Sequence, residues 1–173
     1  MSDIVTPTQL RFERILEAPI DTVWRWIVEP DLRARWFMAG TTDLRVGGEF
    51  GLTMKHDDLS DNDVPTPAQY VQYIGMSWSE RITRIEPPHV IAFTWQNGEA
   101  GEVTIELTPS GSRTRLVLIH DRLRGRHDAE TFGPGWHSHL AALEARIAGR
   151  GVPDFWAVHT QSTKTISAAL VPA

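Results

Sequence analysis

The sequence predicts an α+β fold, a meander of antiparallel strands covered by one long C-terminal helix. Three observations predict it. Successive strand-length stretches after residue 70 are divided by turn residues, an apolar stripe at helical spacing follows residue 135, and two brief helical patterns come directly after the first strand.

Residues 9–17 alternate loosely and stop at Ala18-Pro19, where proline suits the first turn of a helix. Ile20, Val23, Trp24 and Ile27 follow at helical spacing, and Pro30-Asp31 restarts a second short helix over residues 32–37. Val46-Gly47-Gly48-Glu49-Phe50 turns the chain into a strand with Phe50, Leu52 and Met54 at period two. Residues 56–67 hold two prolines and crowd Asp57, Asp58, Asp61 and Asp63 together. They predict a solvated loop, because the glycine and terminal glutamate of a calcium loop are not in register.

Strands are expected at 70–86, 89–96, 101–108 and 113–121, separated by Pro87-Pro88-His89, Asn97-Gly98 and Pro109-Ser110-Gly111-Ser112. Each has one apolar face, as an antiparallel sheet covered on one side requires. After a basic loop at 122–127, Gly133-Pro134-Gly135 precedes a helix carrying Trp136, Leu140, Leu143 and Ile147, which Gly149 and Gly151 end. The tail carries Phe155 and Trp156 and a short helix is expected there, although Thr163-Lys164-Thr165-Ile166-Ser167 forms helix weakly. No linker or repeat divides the chain, so one domain over 1–173 is expected, with its core at 9–150 and an extension at 151–173.

Composition narrows the functions. A net charge of -5 gives no electrostatic reason to bind nucleic acid. The absence of cysteine removes disulfides, thiolate nucleophiles and cysteine metal sites. No apolar run approaches the roughly 18 residues that span a bilayer, and Met1-Ser2-Asp3-Ile4 has no basic, apolar leader, so a cytoplasmic protein without a membrane partner is expected. There is no G-x-S-x-G elbow, no phosphate-cradling glycine loop and no H-E-x-x-H helix. Seven tryptophans stand out, since flat side chains wall a cavity as readily as they fill a core.

Several words in the chain occur in one order: Ala18-Pro19 with Val23-Trp24, Pro30 with Arg35-Trp36, and Val46-Gly47-Gly48-Glu49-Phe50. They continue with Ile85-Glu86-Pro87-Pro88, Phe93-Thr94-Trp95, Thr114-Arg115-Leu116 leading to His120, and Gly135-Trp136 with Leu140 and Leu143. Over about residues 9–150 the chain resembles the START and birch-pollen-allergen superfamily (SRPBCC), in its branch related to the activator of heat-shock protein 90 ATPase. The resemblance implies a helix-grip fold, with a curved antiparallel sheet wrapped around a long C-terminal helix, two short helices after the first strand, and a cavity between sheet and helix. The chain departs from that pattern in its Asp- and Pro-rich insert at 56–67 and in its C-terminal extension.

Strand alternation then supplies a candidate cavity lining. It comprises Phe50, Leu52 and Met54, then Trp78 and Glu80, then Phe93 and Trp95, then Val103 and Ile105, then Leu116, Leu118 and His120. Trp136, His139, Leu140 and Leu143 roof it, and Arg35 and Trp36 are placed at its entrance. Such a lining favours a small hydrophobic or amphipathic molecule, held by a carrier or sensor. Two alternatives stay open. One is a protein-interaction module that regulates a chaperone ATPase, implied by the resemblance. The other is a cyclase, hydrolase or isomerase on an aromatic or polyketide-like substrate, with Glu80 and His120 as acid and base. His137 and His139, two apart on a helix, face different sides; neither a metal nor a cofactor is expected.

Overall fold

A computed structural model of the chain describes residues 3–170. The two first residues of the expected domain and the last three of its extension lie outside them.

β1 (Ile4–Val5) and β2 (Gln9–Leu16) open the chain, with Leu10, Phe12 and Leu16 turned inward at period two. α1 (Ile20–Val28) starts after extended Pro19 and buries Val23, Trp24, Trp26, Ile27 and Val28. It stops because Glu29 precedes Pro30 and takes an extended conformation, which lets Pro30 open α2 (Pro30–Arg33). β3 (Glu49–Thr53) follows the glycine turn. α3 (Ala68–Val71), β4 (Ser77–Glu86), β5 (Val90–Thr94), β6 (Glu102–Ser110) and β7 (Arg113–Asp121) lead to α4 (Arg126–Ile147) and α5 (Phe155–Ala169). The strands form one antiparallel sheet in the order β1-β2-β7-β6-β5-β4-β3. A register shift between Ile82 and Arg84 marks a bulge in β4, a device that bends a strand and helps a sheet to curve. α4 lies along β2 and packs against α5, which also touches β1, completing an α+β helix-grip fold.

Three expectations are corrected. The strand expected from residue 70 begins at Ser77, because Pro67 opens the single turn of α3 before it. The long helix begins at Arg126, two turns before Gly133-Pro134-Gly135, and takes in part of the expected basic loop. Its start is fixed by Asp128, whose carboxylate accepts from the Arg124 backbone N–H (2.9 Å) and from the Arg124 guanidinium. The 56–67 stretch is not simply solvated: Leu59 is fully buried, and Asp61 accepts from Arg146 (2.7 Å) and from the Val152 N–H (2.6 Å). The insert is thereby strapped to α4 and to the chain leading into α5. That extension folds as a 15-residue helix. Asp154 caps it by accepting from the Ala157 N–H, and Phe155, Trp156 and Ile166 anchor it in the core.

Candidate functional site

Over most of their length the sheet and α4 close directly on each other. Phe50, Leu52, Phe93, Val103, Ile105, Leu116, Leu118, Leu140 and Leu143 are each at most 2% exposed and belong to the continuous core. Phe50 stacks on Phe93 with ring centroids 4.4 Å apart. These side chains, expected to line open space, fill it with one another, as close packing favours.

Toward the β4 side the two layers part around a cavity of about 620 Å³. Of the residues expected to line a cavity, Met54, Trp78, Glu80, Trp95, Trp136 and His139 border this one. Much of the rest of its wall comes from segments read from sequence as loop, strand or tail. The insert supplies His56 and Thr66, the α3 region supplies Tyr70, Tyr73, Ile74 and Met76, and α5 supplies Trp156 and His159. Tyr73, Ile74 and Met76 are exposed, so an apolar rim surrounds the mouth. Tyr70 stacks on Trp156 at 5.0 Å, joining the rim to α5.

His120 is fully buried behind this wall, against Trp95, Phe132 and Trp136, and both its nitrogens are engaged. Nε2 lies 2.7 Å from the Ala100 carbonyl, which can only accept, and Nδ1 accepts from Trp136 Nε1–H at 3.1 Å. The ring is therefore the neutral Nε2–H tautomer, with burial holding its pKa below the ordinary value. Glu80 accepts from the Thr94 hydroxyl (2.7 Å) and the Asn97 N–H (3.1 Å). The two residues offered as an acid–base pair are each spent on separate structural partners.

The residues placed at the entrance stand elsewhere. Trp36 is 1% exposed, and its Nε1–H donates to the Trp26 carbonyl. Arg35 lies over the Trp26 ring and beside Asp61 and Arg146 in a separate, polar depression. Arg33, the last residue of α2, is wholly buried.

His139 joins two distant parts of the chain. Its Nδ1 lies 2.7 Å from the Trp36 carbonyl and must donate to it, so in the neutral ring Nε2 is an acceptor. His56 Nε2, 2.9 Å away, therefore donates to His139 Nε2. Burial, together with the neighbouring imidazoles, pushes His56 down to about 4 and His139 well below its ordinary value, so both are neutral at pH 7. His56 Nδ1 is left as a buried acceptor with no partner, and Trp156 Nε1 and Thr66 Oγ1 are likewise unpaired. His137, two residues before His139, points to the other side and meets the Ser162 hydroxyl.

Sequence reasoning missed His56, Trp156 and His159 because each sits on a segment whose place depends on long-range packing. The available signal was composition: a histidine inside an acidic insert, and a Phe-Trp pair in a polar tail.

None of the curated proteins matches the chain. Among solved structures, the protein encoded by gene BPP1335 of Bordetella parapertussis is 35% identical, with a TM-score of 0.82 over 99% of this chain and 97% of that one. CalU16 from Micromonospora echinospora is 23% identical, with a TM-score of 0.69 over 97% and 96% of the two chains. EF2215 from Enterococcus faecalis shares the fold at 15% identity, with a TM-score of 0.67 over 98% and 92%. The family model described as Activator of Hsp90 ATPase homolog 1-like protein matches residues 17–148, including α1, the strands from β3 to β7 and all of α4. With that match and a relative covered along nearly its whole length, the chain belongs to the Activator of Hsp90 ATPase homolog 1-like protein family.

Proposed function

We propose that the protein holds a small, largely apolar molecule with one or more flat rings in the cavity beside β4, as a carrier or sensor. The observation that carries this reading is the wall itself, about 620 Å³ of space faced by Trp78, Trp95, Trp136 and Trp156. That volume lies in the range of small-molecule sites, and aromatic faces stack on flat ligands. The exposed apolar rim around Tyr73, Ile74 and Met76 gives an apolar molecule a path out of water. A proton-transfer reaction finds less support, since both nitrogens of His120 are engaged and Glu80 is held by the Thr94 hydroxyl and the Asn97 N–H.

Gly135 gives a clean test. It borders the cavity from α4, and a Cβ built there meets nothing within 4 Å. Gly135→Phe therefore fills the cavity without disturbing the core, and it replaces a poor helix former. The neutral probe N-phenyl-1-naphthylamine is expected to brighten on binding wild-type protein and to lose binding by at least about tenfold in a folded Gly135→Phe variant, as lost contacts of that size imply. Undiminished binding in that variant would remove the cavity as the site.

A further inference from the structure

Among the described residues, the lining of the cavity carries one acidic residue, Glu80, and no Lys, Arg or Asp. Burial lowers the pKa values of its histidines, His56, His139 and His159, and leaves those rings neutral at pH 7. Glu80 is 3% exposed and takes part in none of the ion pairs among the described residues.

Neutral groups hold it instead. The Thr94 hydroxyl, itself accepting from the Arg81 N–H (3.0 Å), donates to Glu80 Oε2 at 2.7 Å, and the Asn97 N–H donates to the same oxygen at 3.1 Å. Oε1 has only a long contact with that N–H, at 3.4 Å. The turn that presents the N–H takes Gln96 and Asn97 through left-handed conformations (φ 50° and 55°), which residues with a side chain adopt at a cost. These hydrogen bonds orient the carboxylate but leave its charge unbalanced, and an unbalanced charge out of water is unfavourable. Its field extends several ångströms through an apolar wall, so an occupant is selected by sign without having to touch it.

The indoles beside it favour the same sign. Trp78 is two residues back on β4, Trp95 lies in sequence between the two donors, and both border the cavity. Trp95 is backed by Trp136, with ring centroids 5.2 Å apart. The negative π-face of an indole attracts a cation and repels an anion.

We infer that the cavity selects organic cations, a protonated or quaternary amine carried on a flat apolar ring system, with the amine toward Glu80, Trp78 and Trp95. This rests on the cavity being the binding site and adds the charge of the ligand. A carboxylate of the same shape meets a like charge and no cation to receive it, and a neutral ring leaves Glu80 unbalanced.

Three probes share one ring system and differ in charge at pH 7: 1-naphthylmethylamine is cationic, 1-naphthalenemethanol neutral and 1-naphthoic acid anionic. Each competes with N-phenyl-1-naphthylamine on the full chain. Wild-type protein is expected to bind the amine at least about tenfold more tightly than the alcohol, and the acid more weakly than either. Glu80→Gln keeps an oxygen for the Thr94 and Asn97 donors and removes the charge, so it should cut the advantage of the amine over the alcohol by at least about fivefold. A folded Glu80→Gln variant that keeps the full advantage overturns the inference. The wild-type order decides it even where that variant does not fold: N-phenyl-1-naphthylamine displaced by the amine no better than by the alcohol or the acid overturns the inference and leaves the cavity reading standing. No binding of any of the four overturns both.

Discussion

Arg33 is a charged residue with no charged partner among the described residues. Its guanidinium donates to the carbonyls of Met38 (3.0 Å), Gly40 (2.6 Å) and Gly51 (2.8 Å) and to the Thr42 hydroxyl, and lies 4.2 Å over the Phe50 ring. Burial lowers its pKa to about 10, which still leaves it charged at pH 7. It ties the chain after α2 to β3 and so sets one end of the cavity wall. Arg33→Met leaves buried acceptors unpaired and is expected to cost about 3 kcal/mol. Arg33→Lys should lose nearly as much, because an ammonium cannot reach four acceptors arranged around a planar fork. The urea midpoint at constant slope measures both, and a lysine variant as stable as wild type would sink the fork argument. Side-chain patterning could not have placed this residue, since arginine is ordinarily exposed and the groups that hold it are mostly backbone carbonyls.

In α4 two glycines around Pro134 do opposite things. A Cβ at Gly133 would lie 2.9 Å from Ile166 Cγ2 and 3.5 Å from Leu10 Cδ2, so this glycine lets α5 and β2 approach the helix. Gly135, half a turn away, faces open space. Gly135→Ala is expected to stabilise the protein by about 0.5–1 kcal/mol, the usual gain for alanine over glycine in a helix. Gly133→Ala gains the same propensity but must displace Ile166, and is expected to be the less stable of the two by about 1 kcal/mol or more. Thermal melts of the pair decide it; equal melting temperatures would mean that α5 packs on α4 without needing this gap. Gly-Pro-Gly reads as a helix breaker from local propensity alone, which is why the long helix looked shorter than it is. The same limit hid the length of α5, whose weak intrinsic helix formers are held by Asp154 and by the burial of Phe155, Trp156 and Ile166.

Across the whole molecule, the order of elements was legible because strand alternation and turn residues are local signals, whereas the position of the cavity was not. Alternation shows which side chains face α4 but not how closely α4 approaches each strand, so Leu118 and Trp78 looked equivalent although one is core and the other borders open space. The buried histidines make the remaining prediction a property of the whole fold. His56, His120, His137, His139 and His159 all have pKa values lowered by burial, His56 to about 4. Unfolding returns each to about 6.5, so between those values the unfolded chain binds more protons and stability must fall as pH falls. His56 alone accounts for roughly 3 kcal/mol between pH 7 and pH 4, because keeping one ring unprotonated costs about 1.4 kcal/mol for every pH step below its unfolded pKa. Glu144, whose pKa burial raises, opposes the trend, but it is one group against five. Glu13, lowered to about 2 by its hydrogen bonds to Arg115 and Arg11, loses its contribution only below about pH 4.5, as do Asp61 and Asp128. Urea unfolding between pH 7 and pH 5 is therefore governed mainly by the histidines, with Glu144 opposing them. The unfolding free energy should decline steadily across that window, and His56→Phe should flatten the slope. A constant free energy from pH 7 to pH 5 would mean that these rings are not held neutral in the folded protein.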